Sequence, residues 1–219
     1  MRNAAIPAVM PNYTRLDVAF ERGRGCELWD RDGRRWLDFG AGIAVVGLGH
    51  AHPHVVNALT DQAQKLWHTS NLYRIGELER LSDRLVANTF AETVLLTNSG
   101  AEALEACIKL ARRHFWAKGE TERNRIVTFE GAFHGRTMAT ISAAGGKKLT
   151  DGFAPLLEGF DIVPFGDHDA LDAAVTERTA AILIEPIQGE GGIREVPPQC
   201  LQGLRRLCDE RGILLMFDE

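Results

Sequence analysis

The segment Thr93–Arg113, TVLLTNSGAEALEACIKLARR, decides the fold. Its aliphatic and β-branched start predicts a buried strand over Thr93–Thr97, and apolar residues at helical spacing then predict a helix that ends near Gly119. Ser99 can cap this helix, and its first-turn N–H groups would point outward at the positive end of the helix dipole. The turn is therefore a candidate anion site, most simply for phosphate, and an ordinary strand–helix turn is the alternative.

The rest of the chain after this segment continues to alternate strand and helix patterns. The predicted strands are Arg125–Phe129, Asp161–Phe165, Ala180–Ile184 and Ile213–Phe217. The predicted helices between them lie near His134–Ala144, Asp169–Arg178 and Pro198–Arg211. This order is typical of an α/β fold with a mostly parallel sheet, helices on both faces, and ligands at the carboxyl ends of the strands.

The N-terminal part has a different pattern. Residues 1–20 are irregular and predict an arm, and the turn at Asp32-Gly33 predicts a hairpin of Cys26–Asp30 with Arg35–Phe39. We therefore predict residues 1–49 to be an N-terminal arm with a small β-containing segment, and residues 50–219 to be a large α/β domain that is incomplete at its carboxyl end.

The composition excludes several classes of function. The chain has 219 residues, 45% of them hydrophobic, and a net charge of −5, with no basic stripe for nucleic acid. No apolar run of about 18 residues predicts a membrane span, and the N-terminus lacks a signal-peptide pattern, so we expect a cytoplasmic protein. The four cysteines form no C-x-x-C pair and are expected to be reduced thiols.

Two further motifs fail as ligand sites. The glycine-rich segment 40–49 has Val45 where a dinucleotide fingerprint needs its third glycine, which disfavours a nicotinamide dehydrogenase. The histidines of the segment 50–54 have no nearby cysteine or carboxylate set to complete a metal shell, so no metal site is expected.

Polar residues collect directly after the predicted strands, at the edge where such sheets bind ligands. These clusters are Asn98–Ala101, Glu130–Thr137, Glu185–Gly192 and Asp218-Glu219. They offer a phosphate cradle, an aromatic ring, a cation for a carboxylate and an isolated aspartate at the end of an apolar strand. An aromatic phosphate with a basic ring nitrogen would use this set.

The order and spacing of six motifs resemble the N-terminal half of a class III aminotransferase, a fold-type-I enzyme that depends on pyridoxal 5′-phosphate (PLP). The motifs are LDFGAGIAVVGLGHAHP, LWHTSNLYR, TNSGAEALE, GAFHGRT, EPIQGEGG and FDE. The resemblance implies a homodimer that transfers the amino group of N-acetylornithine to 2-oxoglutarate in arginine biosynthesis. Ornithine, succinylornithine, succinyldiaminopimelate and 4-aminobutyrate are alternative donors.

The resemblance also implies which residues bind the cofactor. Gly100 and Ala101 would bind its phosphate through backbone N–H groups, with assistance from Ser99. Phe133 would stack on the pyridine ring, and His134 would shape the pocket beside it. Asp218 would pair with the protonated ring nitrogen and keep the ring an electron sink.

Three residues are implied to bind substrates. Arg136 would hold the α-carboxylate of the donor, because a planar guanidinium fits that anion. Glu190 would pair with a later arginine and help the site alternate between the donor and 2-oxoglutarate. Tyr73 would line the substrate pocket, with contact across a dimer interface.

The catalytic lysine of this chemistry is missing from the sequence. None of the five lysines follows Asp218, where the family has its Schiff-base lysine, so that residue is expected beyond Glu219. We therefore interpret the chain as a fragment that is inactive alone. A non-catalytic dimerising or PLP-binding module is the alternative.

Overall fold

The structure is a computed structural model that describes residues 8–219, so the first seven residues of the predicted arm lie outside the described residues. The contacts divide the chain into two units, one ending at Ala87 and one spanning Asn88–Glu219. The predicted boundary between residues 49 and 50 falls inside the first unit, and the division by function stays a prediction.

The first unit contains an antiparallel sheet and three helical segments. Its strands are β1 (Phe20–Arg24), β2 (Glu27–Asp30) and β3 (Arg35–Leu37), in the order β1-β2-β3. Its helical segments are α1 (Ala41–Ala44), α2 (Pro53–Ala63) and α3 (Gly76–Asn88). The predicted hairpin is therefore present as β2 and β3, with β1 as a third strand.

The turn α1 lies in the glycine-rich segment where no helix is predicted. Its residues Gly42 and Ile43 have φ values of 64° and 61°, so the turn is left-handed rather than a right-handed helix start. This geometry differs from the strand–turn–helix that a dinucleotide fingerprint requires.

The second unit is built on a parallel sheet. Its strands are β4 (Arg125–Phe129), β5 (Phe160–Val163), β6 (Thr179–Ile184) and β9 (Leu214–Phe217), in the order β5-β4-β6-β9. The short strands β7 (Ile187–Gln188) and β8 (Arg194–Glu195) form a separate antiparallel pair. The carboxyl ends of β4, β6 and β9 therefore lie side by side, and the segments that follow them meet at one edge.

Helices cover both faces of this sheet, as predicted. They are α4 (Gly100–Ala117), α5 (Met138–Ala144), α6 (Lys147–Thr150), α7 (His168–Ala174) and α8 (Pro198–Arg211). In β6, Leu183 belongs to a core with Leu104 of α4, whereas its neighbour Ile182 belongs to a core with Leu204 of α8. Each such buried side chain contributes roughly 1.5–3 kcal/mol.

The predicted strand over Thr93–Thr97 is wrong. The segment is not a strand, and no strand among residues 8–219 pairs with it. The side chains of Leu95 and Leu96 are 68% and 43% exposed. The apolar pattern alone does not make a strand, because the backbone N–H and C=O groups also need a neighbouring strand.

The helix predicted near His134–Ala144 begins later, at Met138. Thr137 caps it, because its Oγ1 accepts the N–H of Thr140 at 3.4 Å. Residues 130–137 therefore form a loop between β4 and α5, the 130–137 loop, which carries three of the predicted site residues.

Candidate active site

The N-terminus of α4 holds the turn that is predicted to bind phosphate. Ser99 Oγ accepts the N–H of Glu102 at 3.2 Å, and the Glu102 carboxylate accepts the N–H of Asn98 at 2.7 Å. This reciprocal capping fixes the turn. The N–H groups of Gly100 and Ala101 have no intrahelical acceptor by their position, and the space beside Gly100 is open to 4 Å. Ser99 thus acts as the cap of the predicted phosphate cradle.

Gly135 brings the loop after β4 against this helix end. Its φ is +118°, and a Cβ atom on it would come within 2.7 Å of Ala101 Cβ and 3.2 Å of Thr140 Oγ1. Only glycine combines this φ with so close an approach. The 130–137 loop and the predicted phosphate cradle are therefore neighbours.

Phe133 and Arg136 project from the same loop. The backbone N–H of Phe133 donates to Glu185 Oε2 at 3.1 Å, and its ring is half-buried. Arg136 is exposed, and its Cζ lies 5.6 Å from the centroid of the Phe133 ring. Within residues 8–219, no carboxylate lies in ion-pair distance of Arg136. The guanidinium is thus available to an anionic ligand, beside an aromatic face.

Asp218 follows β9 and prolongs its pairing with β6, because its N–H donates to the carbonyl of Ile184 at 3.0 Å. Its carboxylate Oδ2 lies 2.8 Å from Nδ1 of His134. The Asp218 side chain is 19% exposed, whereas that of His134 is fully buried. The aspartate therefore presents part of its carboxylate outward, with the imidazole behind it.

Glu185 was not given a site role by the sequence, yet it anchors the aromatic residue of the loop. It follows β6 directly and is buried. Burial raises the pKa of its carboxyl group, against the opposing effects of the Phe133 N–H and the His134 charge. The sequence feature that could have indicated this role is the position of Glu185 directly after a buried strand.

Gln188 and Arg194 are a second pair that sequence reasoning missed. Gln188 is fully buried, and its Nε2 donates to the carbonyl of Glu130 at 3.2 Å. Arg194 Nη2 donates to the same carbonyl at 3.2 Å and to Gln188 Oε1. These bonds tie the β7–β8 hairpin to the start of the 130–137 loop. Gly131 and Gly191, which lie against this contact, are the local sequence feature that could have indicated it.

The structure thus brings together most of the predicted site residues. Gly100, Ala101, Phe133, His134 and Asp218 are joined by the contacts described above, with Arg136 on the same loop. Glu190 is exposed in the turn between β7 and β8. Tyr73 belongs to the first unit and its side chain is 69% exposed. The roles of Glu190 and Tyr73 stay predictions.

Other ligand classes have little support in the described part of the chain. No group of three or more His, Cys, Asp or Glu side chains within residues 8–219 is placed to hold a metal ion. His50 is paired instead with Asp38, with Nε2 2.6 Å from Oδ2. The helices of the same residues are too short or too polar to cross a membrane. All four cysteines are free thiols.

The residues at the sheet edge fit PLP. A helix N-terminus suits its phosphate, the half-buried ring of Phe133 suits stacking on its ring, and a partly exposed carboxylate held by a buried histidine suits a protonated ring nitrogen. The fit depends on three kinds of group, backbone N–H donors, an aromatic ring and a carboxylate, that lie together in one small part of the second unit.

Comparison with known proteins places the chain in a family. The aminotransferase class-III profile matches residues 8–219. An acetylornithine aminotransferase of Rhodobacter capsulatus is 62% identical over 214 residues, which are 98% of this chain and 54% of that protein. The chain spans about half the length of the relatives it matches.

Comparison with solved structures leads to the same family. The N-acetylornithine aminotransferase of Stenotrophomonas maltophilia has a TM-score of 0.78 at 40% identity, covering 92% of this chain and 50% of that one. An ornithine aminotransferase of Toxoplasma gondii, with partial PLP occupancy at its active site, has a TM-score of 0.91 at 30% identity, covering 96% and 50%. These likenesses confirm the predicted fold, and the chain belongs to the class III aminotransferases, a family whose cofactor is PLP.

Proposed function

We propose that the full-length protein transfers the amino group of N-acetylornithine to 2-oxoglutarate, as a step of arginine biosynthesis. The observation that carries the proposal is the 130–137 loop. It presents an aromatic ring and an unpaired guanidinium, and Gly135 holds it against the helix end that suits phosphate. The acetylornithine aminotransferase relative supports the choice of donor.

Each residue of the site has a separate task in this proposal. The N–H groups of Gly100 and Ala101 bind the cofactor phosphate, and Phe133 supports one face of the ring. Asp218 keeps the ring nitrogen protonated by accepting its N–H. When bound, PLP supplies the electron sink that delocalises charge at the reacting carbon of the donor.

Arg136 sets the orientation of the donor. A guanidinium binds a carboxylate through two parallel hydrogen bonds, so gripping the α-carboxylate directs the distal amine of acetylornithine toward the reacting position. Glu190 is proposed to pair with an arginine beyond this chain when the keto acid binds. Ornithine, succinylornithine, succinyldiaminopimelate and 4-aminobutyrate remain alternative donors.

Steady-state kinetics of the full-length enzyme test the donor. We expect the highest kcat/KM for N-acetylornithine among these five amines, with 2-oxoglutarate as acceptor. R136K should raise KM for acetylornithine by about 10-fold, because the bidentate contact is lost. The control R206K, at an exposed position on α8, should leave KM unchanged. A strong preference for 4-aminobutyrate would show that Arg136 does not bind an α-carboxylate.

Residues 1–219 alone should not catalyse the reaction. Transamination needs a lysine that reacts with the cofactor, and the five lysines of this chain all precede β9. Lys109, for example, is exposed on α4. Incubation with PLP followed by borohydride reduction tests this. Stoichiometric labelling of one lysine together with turnover would contradict the proposal and support a complete enzyme.

We further propose a homodimer in the cytoplasm. The first unit exposes large apolar side chains, among them Phe39, Ile43 and Trp67 at 92%, 90% and 85% exposure, and such a surface favours association. The free thiols suit a reducing compartment. Light scattering of the full-length protein should give twice the mass of one chain, and a monomer at micromolar concentration would exclude the dimer.

A further inference from the structure

Gln188 and Arg194 form the contact between the β7–β8 hairpin and the 130–137 loop. They face each other in the hairpin as the last pair before its turn. Gln188 Nε2 and Arg194 Nη2 each donate to the carbonyl of Glu130 at 3.2 Å, and Arg194 Nη2 also donates to Gln188 Oε1. Both lone pairs of this carbonyl are therefore used, and the amide and the guanidinium fix each other's orientation.

Two glycines let the hairpin and the loop approach closely at this contact. Gly131 has a φ of +80°, and a Cβ atom on it would collide with Arg194 Nη2. A Cβ atom on Gly191, in the hairpin turn, would lie 2.7 Å from Gln188 Oε1 and 2.9 Å from the carbonyl oxygen of Gly131. The guanidinium of Arg194 also lies over the Phe165 ring, with Cζ 4.6 Å from its centroid. Packing and hydrogen bonding thus hold the same two side chains.

This contact matters more to the hairpin than to the loop. The loop has further anchors, namely the Phe133–Glu185 bond and the contact of Gly135 with α4. Within residues 8–219, every hydrogen bond from the β7–β8 hairpin to another element is made by Gln188 or Arg194. Loss of the contact should therefore displace the hairpin, while the other anchors keep the loop in place.

Glu190 is the site residue that such a displacement would move. It is exposed in the turn that Gln188 and Arg194 close, and it directly precedes Gly191, which packs against the loop. Exposed turns are more mobile than the elements that they connect. The place of the Glu190 carboxylate therefore depends on how the two ends of its turn are held.

We propose that Gln188 and Arg194 are positioning residues, which hold the β7–β8 hairpin on the Glu130 carbonyl and thereby fix Glu190 beside the substrate site. This inference rests on the proposed function, in which Glu190 pairs with an arginine of the full-length protein as the site alternates between the donor and 2-oxoglutarate. Gln188 and Arg194 are assigned no contact with substrate or cofactor, and they act only through Glu190. Their loss should therefore change the balance between the two substrates and leave PLP binding intact.

Steady-state kinetics of the full-length enzyme test this with R194M, which keeps an aliphatic stem and removes the guanidinium. We expect the ratio of the KM values for 2-oxoglutarate and acetylornithine to change about 5-fold or more, in the direction in which E190Q changes it, because charge-assisted hydrogen bonds are lost. PLP affinity should stay within about 3-fold of wild type, because the cradle and the ring contacts are untouched. The control R206M, at an exposed position on α8, should leave both KM values unchanged.

R194K is a second variant that keeps one charged donor. A lysine ammonium lacks the planar fork that binds Glu130 and Gln188 together, so its change in the KM ratio should lie between those of wild type and R194M. It also carries the test if R194M does not fold. A KM ratio equal to that of wild type in every Arg194 variant that folds, with a changed ratio in E190Q, would overturn the inference.

The deciding arm is the double variant E190Q/R194M. If Arg194 acts only through Glu190, R194M should change the KM ratio by less than about 2-fold in the E190Q background. A full additional change there would overturn the inference and show that Arg194 acts by another route. Glu185 is the nearest such route, because burial raises the pKa of its carboxyl group and the charge of Arg194 is among the effects that oppose this rise.

The remaining outcomes separate this inference from the function on which it rests. If the wild-type protein does not transaminate acetylornithine, the proposed function fails. If wild type does so and E190Q has the wild-type KM ratio, the task proposed for Glu190 fails, and the inference fails with it. If R194M lowers Tm, PLP affinity and kcat together without a change in the KM ratio, Arg194 has a structural role only, and the inference is overturned.

Discussion

Replacing Gly135 with alanine should disrupt the contact between the 130–137 loop and α4. A Cβ atom at this position would lie 2.7 Å from Ala101 Cβ, and the φ of +118° is unfavourable for any side chain. Overpacking costs about 1–3 kcal/mol and backbone strain about 1–3 kcal/mol, which together give about 2–6 kcal/mol. Both costs arise at the predicted phosphate cradle.

The measurement compares G135A with G146A in the full-length protein. Gly146 has φ −68°, and apart from its two chain neighbours no residue lies within 4 Å of the position that an added methyl group would take, so its variant should melt like wild type. At about 2–4 °C per kcal/mol, G135A should lower Tm by about 4 °C or more. Displacement of the loop from Ala101 should also weaken PLP binding about 10-fold or more, because the loop is proposed to contact the cofactor ring and the cradle its phosphate. Wild-type Tm and wild-type PLP affinity in G135A would refute the reasoning.

Two other substitutions probe the same loop. F133L should weaken PLP binding about 2- to 10-fold, because ring stacking contributes about 0.5–1.5 kcal/mol. The control F153L, in a separate exposed loop, should leave PLP binding unchanged. Fluorescence titration measures both affinities, and an F133L affinity equal to that of wild type would exclude stacking. E185Q removes a carboxyl group whose folded pKa is raised by burial above the ordinary value of 4.5. The ionised form is thus disfavoured in the folded state, so wild type loses stability as the pH rises above 4.5 and the variant does not. The Tm difference in favour of E185Q should grow with pH up to the folded pKa, and a pH-independent difference would contradict this.

Local sequence patterns predicted the sheet and its helices well. The bounds of β4 and α8 match the prediction because each depends on its own apolar spacing and, in α8, on Pro198 at the start and Gly212 at the end. The strand predicted at Thr93–Thr97 shows the limit of such patterns. A strand also needs a partner, and no apolar spacing within the segment supplies one.

The site could be predicted as a set of residues but not as a set of contacts. Strand ends marked Phe133 and Asp218 as neighbours at one edge, since parallel strands end together. The bond between His134 and Asp218 joins residues 84 positions apart, and the Phe133–Glu185 bond joins residues 52 apart. Such pairings depend on the register of β4, β6 and β9, which the sequence alone does not specify.

The most direct test of the central claim is a crystal structure of the full-length protein with PLP. We expect the phosphate within hydrogen-bond distance, about 2.7–3.2 Å, of the N–H groups of Gly100 and Ala101. The ring should lie against Phe133, and its nitrogen should lie within the same distance of an Asp218 carboxylate oxygen. A cofactor bound elsewhere, or bound here with its ring nitrogen directed away from Asp218, would contradict the account.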